Sequence, residues 1–515
     1  MIRIPASGHI VWHVVCKDFA AAVYTRNADL TAAATRASMD GACLGVSFRA
    51  ITPVHRWGKE HGVPDRRQMH LCAFIMATGH HIASWRHPEV PLENGTNVHY
   101  WAHLAKIAER GKLDAIFLYD GAGLPGMNLE HTSRGDRATF FDPMTLLAAL
   151  AMVTDKIGLV ATSSTTYDQP YYVARRYLSL DHLSGGRAGW NLVTGVNHNE
   201  AKNFGVAMLP HDQRYARAKE FAHVVRGLWD SWADDAFVMD KSSGRFFDPD
   251  GVQALDHAGT YFTVRGPMCV ARSPQGQPLM VQAGGSEPGR ELAAETADMV
   301  YSVQSDLASA QAFYADVKSR MPKYGRDPDS LKIMPGVYTI IGRSAQEAED
   351  KYAALSELVD EAVALSLLSQ CLGGADLSRY NPDGPVPKGL TTIAGTTHLK
   401  LLLGIAEDRN LSLRDLAVQV AAGGYGHWSV RGTPAQVADQ LEERLNARAA
   451  DGFNLMPATL PGGLEDFVDL VVPELQRRGL FRQDYSATTL RGHLGLAHPK
   501  RRTTRAQTPA LRDVA

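Results

Sequence analysis

The 515 residues include 53 basic and 55 acidic side chains, for a formal net charge of −2, and 45% of them are hydrophobic. That near-neutral balance gives no support to a nucleic-acid groove or a charged membrane surface as partner, and the apolar content supplies a sizeable core. Five cysteines (Cys16, Cys43, Cys72, Cys269 and Cys371) lie far apart without CxxC or a His/Cys cluster at metal spacing, and no stretch approaches the roughly 18 apolar residues of a spanning helix, so a reduced, cytoplasmic, metal-free protein is expected.

Residues 1–68 carry no sustained period and are expected to be an N-terminal extension, disordered or not translated. From Met69 short apolar runs alternate with helical segments. The run HLCAFIM precedes the helix YWAHLAKIAERGK, DAIFLYD precedes PMTLLAALAMVTD, and KIGLVATSS precedes PYYVARRYLSLDHL. RAGWNLVTG, RYARAKEFAHVVRGLWDSW, PLMVQAGGS, PGRELAAETAD, MVYSVQ and LASAQAFYADVKSRMPKYG continue the rhythm, and LKIMPGVYTIIG and GFNLMPATLPGGLEDFVDLVVPELQRRGLF close it. About eight such repeats favour an α/β fold of the (β/α)8 TIM-barrel type over an open sheet. Gly- and Pro-rich insertions at about 233–278 and 372–432 would lie over the catalytic end, and 499–515 reads as a basic disordered tail.

One stretch, SLDHLSGGRAGWNLVTG, shows how an element pair is punctuated. Leu180 and Leu183 form an inward stripe, Gly185 and Gly186 stop the helix with a left-handed cap, and the next strand alternates Trp190 and Asn191 between its faces.

Chemistry in a barrel gathers where strands end. After strand one, His80 and His81 have no acidic partner at helical spacing and would point to opposite sides of a strand, so they read as neutral hydrogen-bonding histidines or as loop packing rather than metal ligands. Asp120 is a carboxylate leaving an apolar strand, or a helix cap. Thr162 begins a row of hydroxyls running to Thr166 that suits a polar planar ligand, or a β-branched edge. His211 and Tyr215 share one helix face on the same rim, where ordinary surface packing is the alternative. In QAGGSEPGRELA, Gly284 and Gly285 allow close backbone approach and Ser286 offers a hydroxyl at a helix start, a small phosphate cradle or a simple glycine–serine cap. Neither GxGxxG nor GxxxxGK[ST] occurs in a strand-turn-helix setting.

With these residues in place, the chain resembles the luciferase-like, flavin-dependent two-component monooxygenases, a family that includes the large subunits of nitrilotriacetate monooxygenase, dibenzothiophene-sulfone monooxygenase and pristinamycin IIA synthase. The motifs TGHHIASWRHP, ERGKLDAIFLYD, STTYDQPYYVARRYLSLDHLSGGRAGWNLVT, FVMDKSSGRFFDPD, RSPQGQPLMVQAGGSE and ADGFNLMPATLPGGLEDFVDLVVPELQRRGLF carry it from about Met69 to about His498. The resemblance implies a bacterial-luciferase-like barrel that binds FMN as FMNH2, supplied by a separate NAD(P)H-dependent flavin reductase. It also implies that O2 adds at flavin C4a and that the peroxyflavin oxygenates a small organic substrate, with C–S or C–N cleavage among the outcomes. Matching motifs make Asp120, Thr162, His211, Tyr215 and Ser286 the FMN contacts, place catalytic His81 near the ring or substrate, and put Phe74 and Gly195 in the substrate pocket. Gly195 stands where relatives commonly carry serine. A homodimer or homotetramer is the family expectation. A deazaflavin-dependent oxidoreductase of the same barrel group and a non-catalytic flavin-binding protein are the alternatives.

Overall fold

Side-chain alternation along short strands builds the architecture. In β1 (His70–Phe74), Leu71 and Ala73 pack outward against helices while Cys72 and Phe74 turn inward. The computed structural model describes residues 67–502 apart from 93–94, 125–128, 196–197, 373–374, 388–395 and 425–426, so nearly all of the expected extension lies outside the described residues. The same two-sided division recurs in β2 (Ala115–Leu118), β3 (Gly158–Ser164), β4 (Ala188–Val193), β5 (Leu279–Gln282) and β6 (Met299–Ser302). Two further barrel strands are β7 (Lys332–Ile341) and, after the outer strand β8 (Trp428–Gly432), β9 (Gly452–Pro457).

All pairings among these are parallel, in the order β1-β2-β3-β4-β5-β6-β7-β9 with β9 returning to β1, a closed eight-stranded barrel. Between the strands run α1 (Val98–Arg110), α2 (Pro143–Ala151), α3 (Pro170–Ser184), α4 (His211–Trp229), α5 (Glu287–Thr296), α6 (Leu307–Arg320) and, after β7, α7 (Ala345–Glu357). The floor is plugged by Leu490 and Leu494, which join the interior cluster. Gly158 leaves the space they need, since a Cβ there would lie 2.5 Å from Leu490 Cδ1. Among the described residues no helix is long and apolar enough to cross a membrane, and no three His, Cys, Asp or Glu side chains group to hold a metal.

The junction of α3 and β4 follows its sequence closely, with one exception. Gly185 takes φ 68°, and the Gly185 and Gly186 amides close on His182 and Asp181 carbonyls. Trp190 goes outward among Tyr177, Phe221 and Trp229, and Asn191 goes inward. Leu180 is buried, but Leu183 is 55% exposed and does not belong to the inward stripe. It lies three residues on from Leu180, past the edge of the face that α3 lays on the barrel.

The two interruptions differ in kind. Residues 233–278 form an irregular strap whose regular part is a short hairpin, His257–Ala258 with Thr263–Val264. The second interruption is largely helical and begins before residue 372: α8 (Glu361–Cys371), α9 (Thr396–Arg409) and α10 (Leu413–Ala422) have a core of their own, including Ala364, Leu368 and Leu416. Ile82 and Ala83, just past β1, are part of that core, so the insertion sits on the loop after β1. Its last residues are not loop but β8, which pairs with the second half of the long strand β7. At the start of the tail, Arg501 donates to the Asp230 carbonyl and Arg502 pairs with the Asp230 carboxylate at 3.0 Å, docking 501–502 at the end of α4. Residues 503–515 lie outside the described residues.

Candidate active site

The C-terminal ends of β2, β4 and β5 open into a cleft of about 300 Å3, lined by Asp120, Gly195, Glu200, Tyr215, Gln282 and Gly284. Asp120 follows β2, and its carboxyl is pushed up to about 6, chiefly by burial and then by the nearby Asp142 carboxylate. Burial, and after it Asp120, raises Glu200 as well. The cleft therefore carries carboxyls that resist ionisation, and a neutral hydrogen-bonding partner suits them better than an anion.

Thr162 does not reach the cleft with its own proton. Its hydroxyl donates to the Leu118 carbonyl at 2.8 Å and accepts from Asn191 Nδ2 at 2.9 Å, leaving Asn191 Oδ1 buried and without a hydrogen-bond partner. The register explains the pair: Thr162 and Asn191 are directly opposite across β3 and β4. Thr162 thus positions Asn191, whose Oδ1 is left as an unused acceptor inside the barrel, although neither residue is among those lining the cleft.

On the far wall, the His211 and Tyr215 rings meet at the start of α4, tilted by 54° with centroids 4.9 Å apart. His211 is half exposed and bonded to Asp212, whereas Tyr215 lines the cleft. Ser286 caps α5, its hydroxyl accepting from the Gly289 amide at 3.4 Å. A Cβ at Gly284 would fall 2.9 Å from Gly289 Cα and 3.1 Å from the Tyr215 hydroxyl, whereas one at Gly285 would meet nothing within 4 Å. The turn is pressed against α5 at Gly284 and open at Gly285. Glu287, an anion in the first turn, is drawn aside by Arg320 at 2.5 and 2.9 Å. Hydroxyls, a helix N-terminus and open space at Gly285 fit a phosphate, and the orphaned Asn191 acceptor fits an N–H of a polar ring.

Gly195 has a local reason to be glycine. Its φ is 64°, its carbonyl accepts from the Arg214 guanidinium, and a Cβ would lie 3.1 Å from the Tyr167 ring. A serine here would have to adopt a strained left-handed backbone.

Phe74 and His81 are not among the residues lining this cleft; they lie along β1 and its loop. Phe74 points into the barrel with edges against His80, Phe117 and Tyr301 at 4.6, 5.2 and 5.7 Å. His80 shares its Nε2 proton with the Phe74 carbonyl at 2.9 Å. His81 is fully buried, accepts the Ala83 amide at Nδ1, and so carries its proton on an Nε2 that has no partner. Burial, followed by the Arg137 charge, lowers His81 to about 4 and holds His80 well below its usual value, which keeps both neutral.

A second pair escaped the sequence reading. The Tyr301 hydroxyl, inward on β6, bonds His427 Nε2, and His427 Nδ1 meets the Gly424 carbonyl at 2.5 Å. Gly336 makes the room, since a Cβ there would be 2.8 Å from the Tyr301 oxygen and 2.7 Å from His427 Cδ2. Alternation along MVYSVQ signals an inward tyrosine; nothing in the insertion signals that His427 would meet it.

Comparison with known proteins gives a consistent picture. A family model described as luciferase-like monooxygenase matches residues 73–451. N-acetyl-S-(2-succino)cysteine monooxygenase of Bacillus subtilis is 48% identical over 85% of this chain and 98% of its own. Nitrilotriacetate monooxygenase component A of Aminobacter aminovorans is 46% identical over 84% and 98%. The crystal structure of a riboflavin lyase with modified FMN and riboflavin superposes with a TM-score of 0.74 at 34% identity, covering 83% of this chain and 96% of that one.

Proposed function

Because this chain belongs to the luciferase-like monooxygenase family, we propose that it is the oxygenating component of a two-component system, taking FMNH2 from a separate NAD(P)H-dependent flavin reductase and oxygenating a small organic substrate. Its relatives include proteins named as monooxygenases and as a component A, and a solved neighbour holds a modified FMN. The observation that carries the reading is the turn at Gly284–Ser286, closed against α5 at Gly284, open at Gly285 and faced by the Tyr215 hydroxyl. Cytoplasmic action and a homodimer or homotetramer complete the proposal.

Bound reduced FMN would supply the electrons that activate O2. Ser286, the first turn of α5 and Tyr215 would hold its phosphate, with the His211 ring tilted against Tyr215. Asp120 and the Asn191 carbonyl, the latter fixed by Thr162, would supply hydrogen bonds to its ring. Because Asp120 titrates near 6, it is poised to hold or give up a proton at its carboxyl at neutral pH. His81 offers a neutral Nε2–H rather than a charge, and the packed rings of Phe74, Phe117 and Tyr301 exclude water from the barrel side. Oxygenation at a carbon beside sulfur or nitrogen yields C–S or C–N cleavage. Oxygen uptake with NADH, an added flavin reductase and a panel of aromatic sulfones, aminopolycarboxylates and alkanes tests this: product formed by one class supports it, and flavin-reductase uptake unchanged by the chain with no product from any class overturns it.

A further inference from the structure

On the other side of the β2 terminus from the flavin cleft lies a second cavity, of about 210 Å3, between the barrel rim and α8. The two cavities are one residue apart, because Tyr119 lines this chamber and its neighbour Asp120 lines the cleft. At that size, below the roughly 300 Å3 where drug-sized pockets begin, the chamber suits a small molecule or one end of a larger one.

Its chemistry is the reverse of the cleft's. The cleft presents Asp120 and Glu200, whereas among the described residues lining the chamber there is no carboxylate and there is a guanidinium, Arg137. Met76, Ile82, Val363 and Leu367 supply apolar wall. The guanidinium is held in place: only 12% exposed, it donates from one terminal nitrogen to the Gly79 carbonyl at 2.7 Å, while Nε lies 3.5 Å from Asp136. Asp136 offsets part of the charge and also accepts from the Thr78 hydroxyl. The other ions nearby are mutually paired, Arg134 with Glu130 and Asp360, each at 2.7 Å. The field of Arg137 is felt inside the protein, where it helps keep His80 and His81 neutral. A fixed guanidinium beside an apolar wall favours an anionic head on an apolar body.

We infer that the chamber under α8 binds a carboxylate group of the substrate, with Arg137 as the residue that selects it and the apolar wall receiving the adjoining carbon segment. This rests on the reading of the neighbouring cleft as the flavin site. It defines the substrate class as small organic acids and separates recognition, at Arg137, from flavin binding, at Ser286 and Tyr215.

The test is calorimetric binding of succinate, citrate and nitrilotriacetate to the full chain, with the methyl ester of each as control, beside anaerobic titration of reduced FMN into the same samples. At least one acid is expected to bind and its ester to bind at least about tenfold more weakly, as for other charge-assisted contacts. Arg137→Gln should lose about tenfold or more in acid affinity and Arg137→Lys should recover part of it, with reduced FMN binding within about twofold of the unsubstituted protein. No binding of any acid, equal binding of acid and ester, or full acid affinity in a folded Arg137→Gln protein overturns the inference. Failure of reduced FMN to bind while the acid pattern holds would overturn the flavin reading instead.

Discussion

Replacing Asp120 with asparagine should stabilise the flavin-free protein while weakening its grip on flavin, and the size of the first effect follows from the site. Folding raises the Asp120 carboxyl from 3.8 to about 6, through burial first and the Asp142 charge second. That is a shift of about two units, worth ~1.36 kcal/mol each, or ~3 kcal/mol against the ionised folded form. The carboxyl borders an open cleft, so solvent screening reduces this to ~1.5 kcal/mol. The folded chain holds the proton more tightly than the unfolded chain between pH ~4 and ~6. Stability therefore falls as pH rises through that window, and the full penalty applies above it. The amide that replaces the carboxyl cannot ionise, and it also relieves Glu200, whose carboxyl is raised in part by Asp120. Urea unfolding should show the Asp120→Asn variant ahead by ~1.5 kcal/mol at pH 8 and by about a third of that near pH 4.5. A variant that is no more stable at pH 8, or whose gain does not change with pH, would refute the reasoning. The same variant should bind reduced FMN about tenfold more weakly, the scale of one lost hydrogen bond to a charged group.

Other predictions follow from the same geometry. Ser286→Ala should weaken FMN binding by about 1–2 kcal/mol in an anaerobic titration, and Ser286→Asp, which keeps the α5 cap, should bind worse still because it sets a second anion at the phosphate position; equal affinity in all three proteins would move the phosphate elsewhere. Gly195→Ser should lower stability by about 1–2 kcal/mol, since φ is 64° and its Cβ would press on Tyr167. Unchanged unfolding would show that the left-handed backbone is not required. Because His81 titrates at about 4, kcat/KM should show no limb near pH 6.5 that His81→Asn removes. Appearance of such a limb, lost in the variant, would contradict a neutral His81.

The strands were legible because their alternation is set by burial on two faces: Leu71 and Ala73 against helices, Cys72 and Phe74 into the barrel. Closure into a barrel was legible from the number of repeats. The left-handed cap at Gly185 was legible because only glycine takes that backbone freely. The helices of the second insertion and β8 were not, since their core is built from Ile82, Leu368 and Leu416, residues scattered along the chain and gathered only by folding. In the site, Asp120, Tyr215 and Gly284 were found one by one and share a cleft. The Thr162–Asn191 hydrogen bond was not legible, because register between strands leaves no mark on either strand alone. Tyr301 and His427 stand 126 residues apart, and no local pattern links them. Gly195 looked like a functional departure; its positive φ shows a backbone cause as well.

On the proposed reading, the cleft between Asp120 and the Gly284–Ser286 turn holds reduced FMN, and anaerobic equilibrium titration of photoreduced FMN into the full chain measures this directly. Saturable one-to-one binding in the micromolar range, equivalent to about −8 kcal/mol and weakened by Ser286→Ala, is the predicted result; absence of saturable binding, or binding indifferent to both Ser286→Ala and Asp120→Asn, would contradict it.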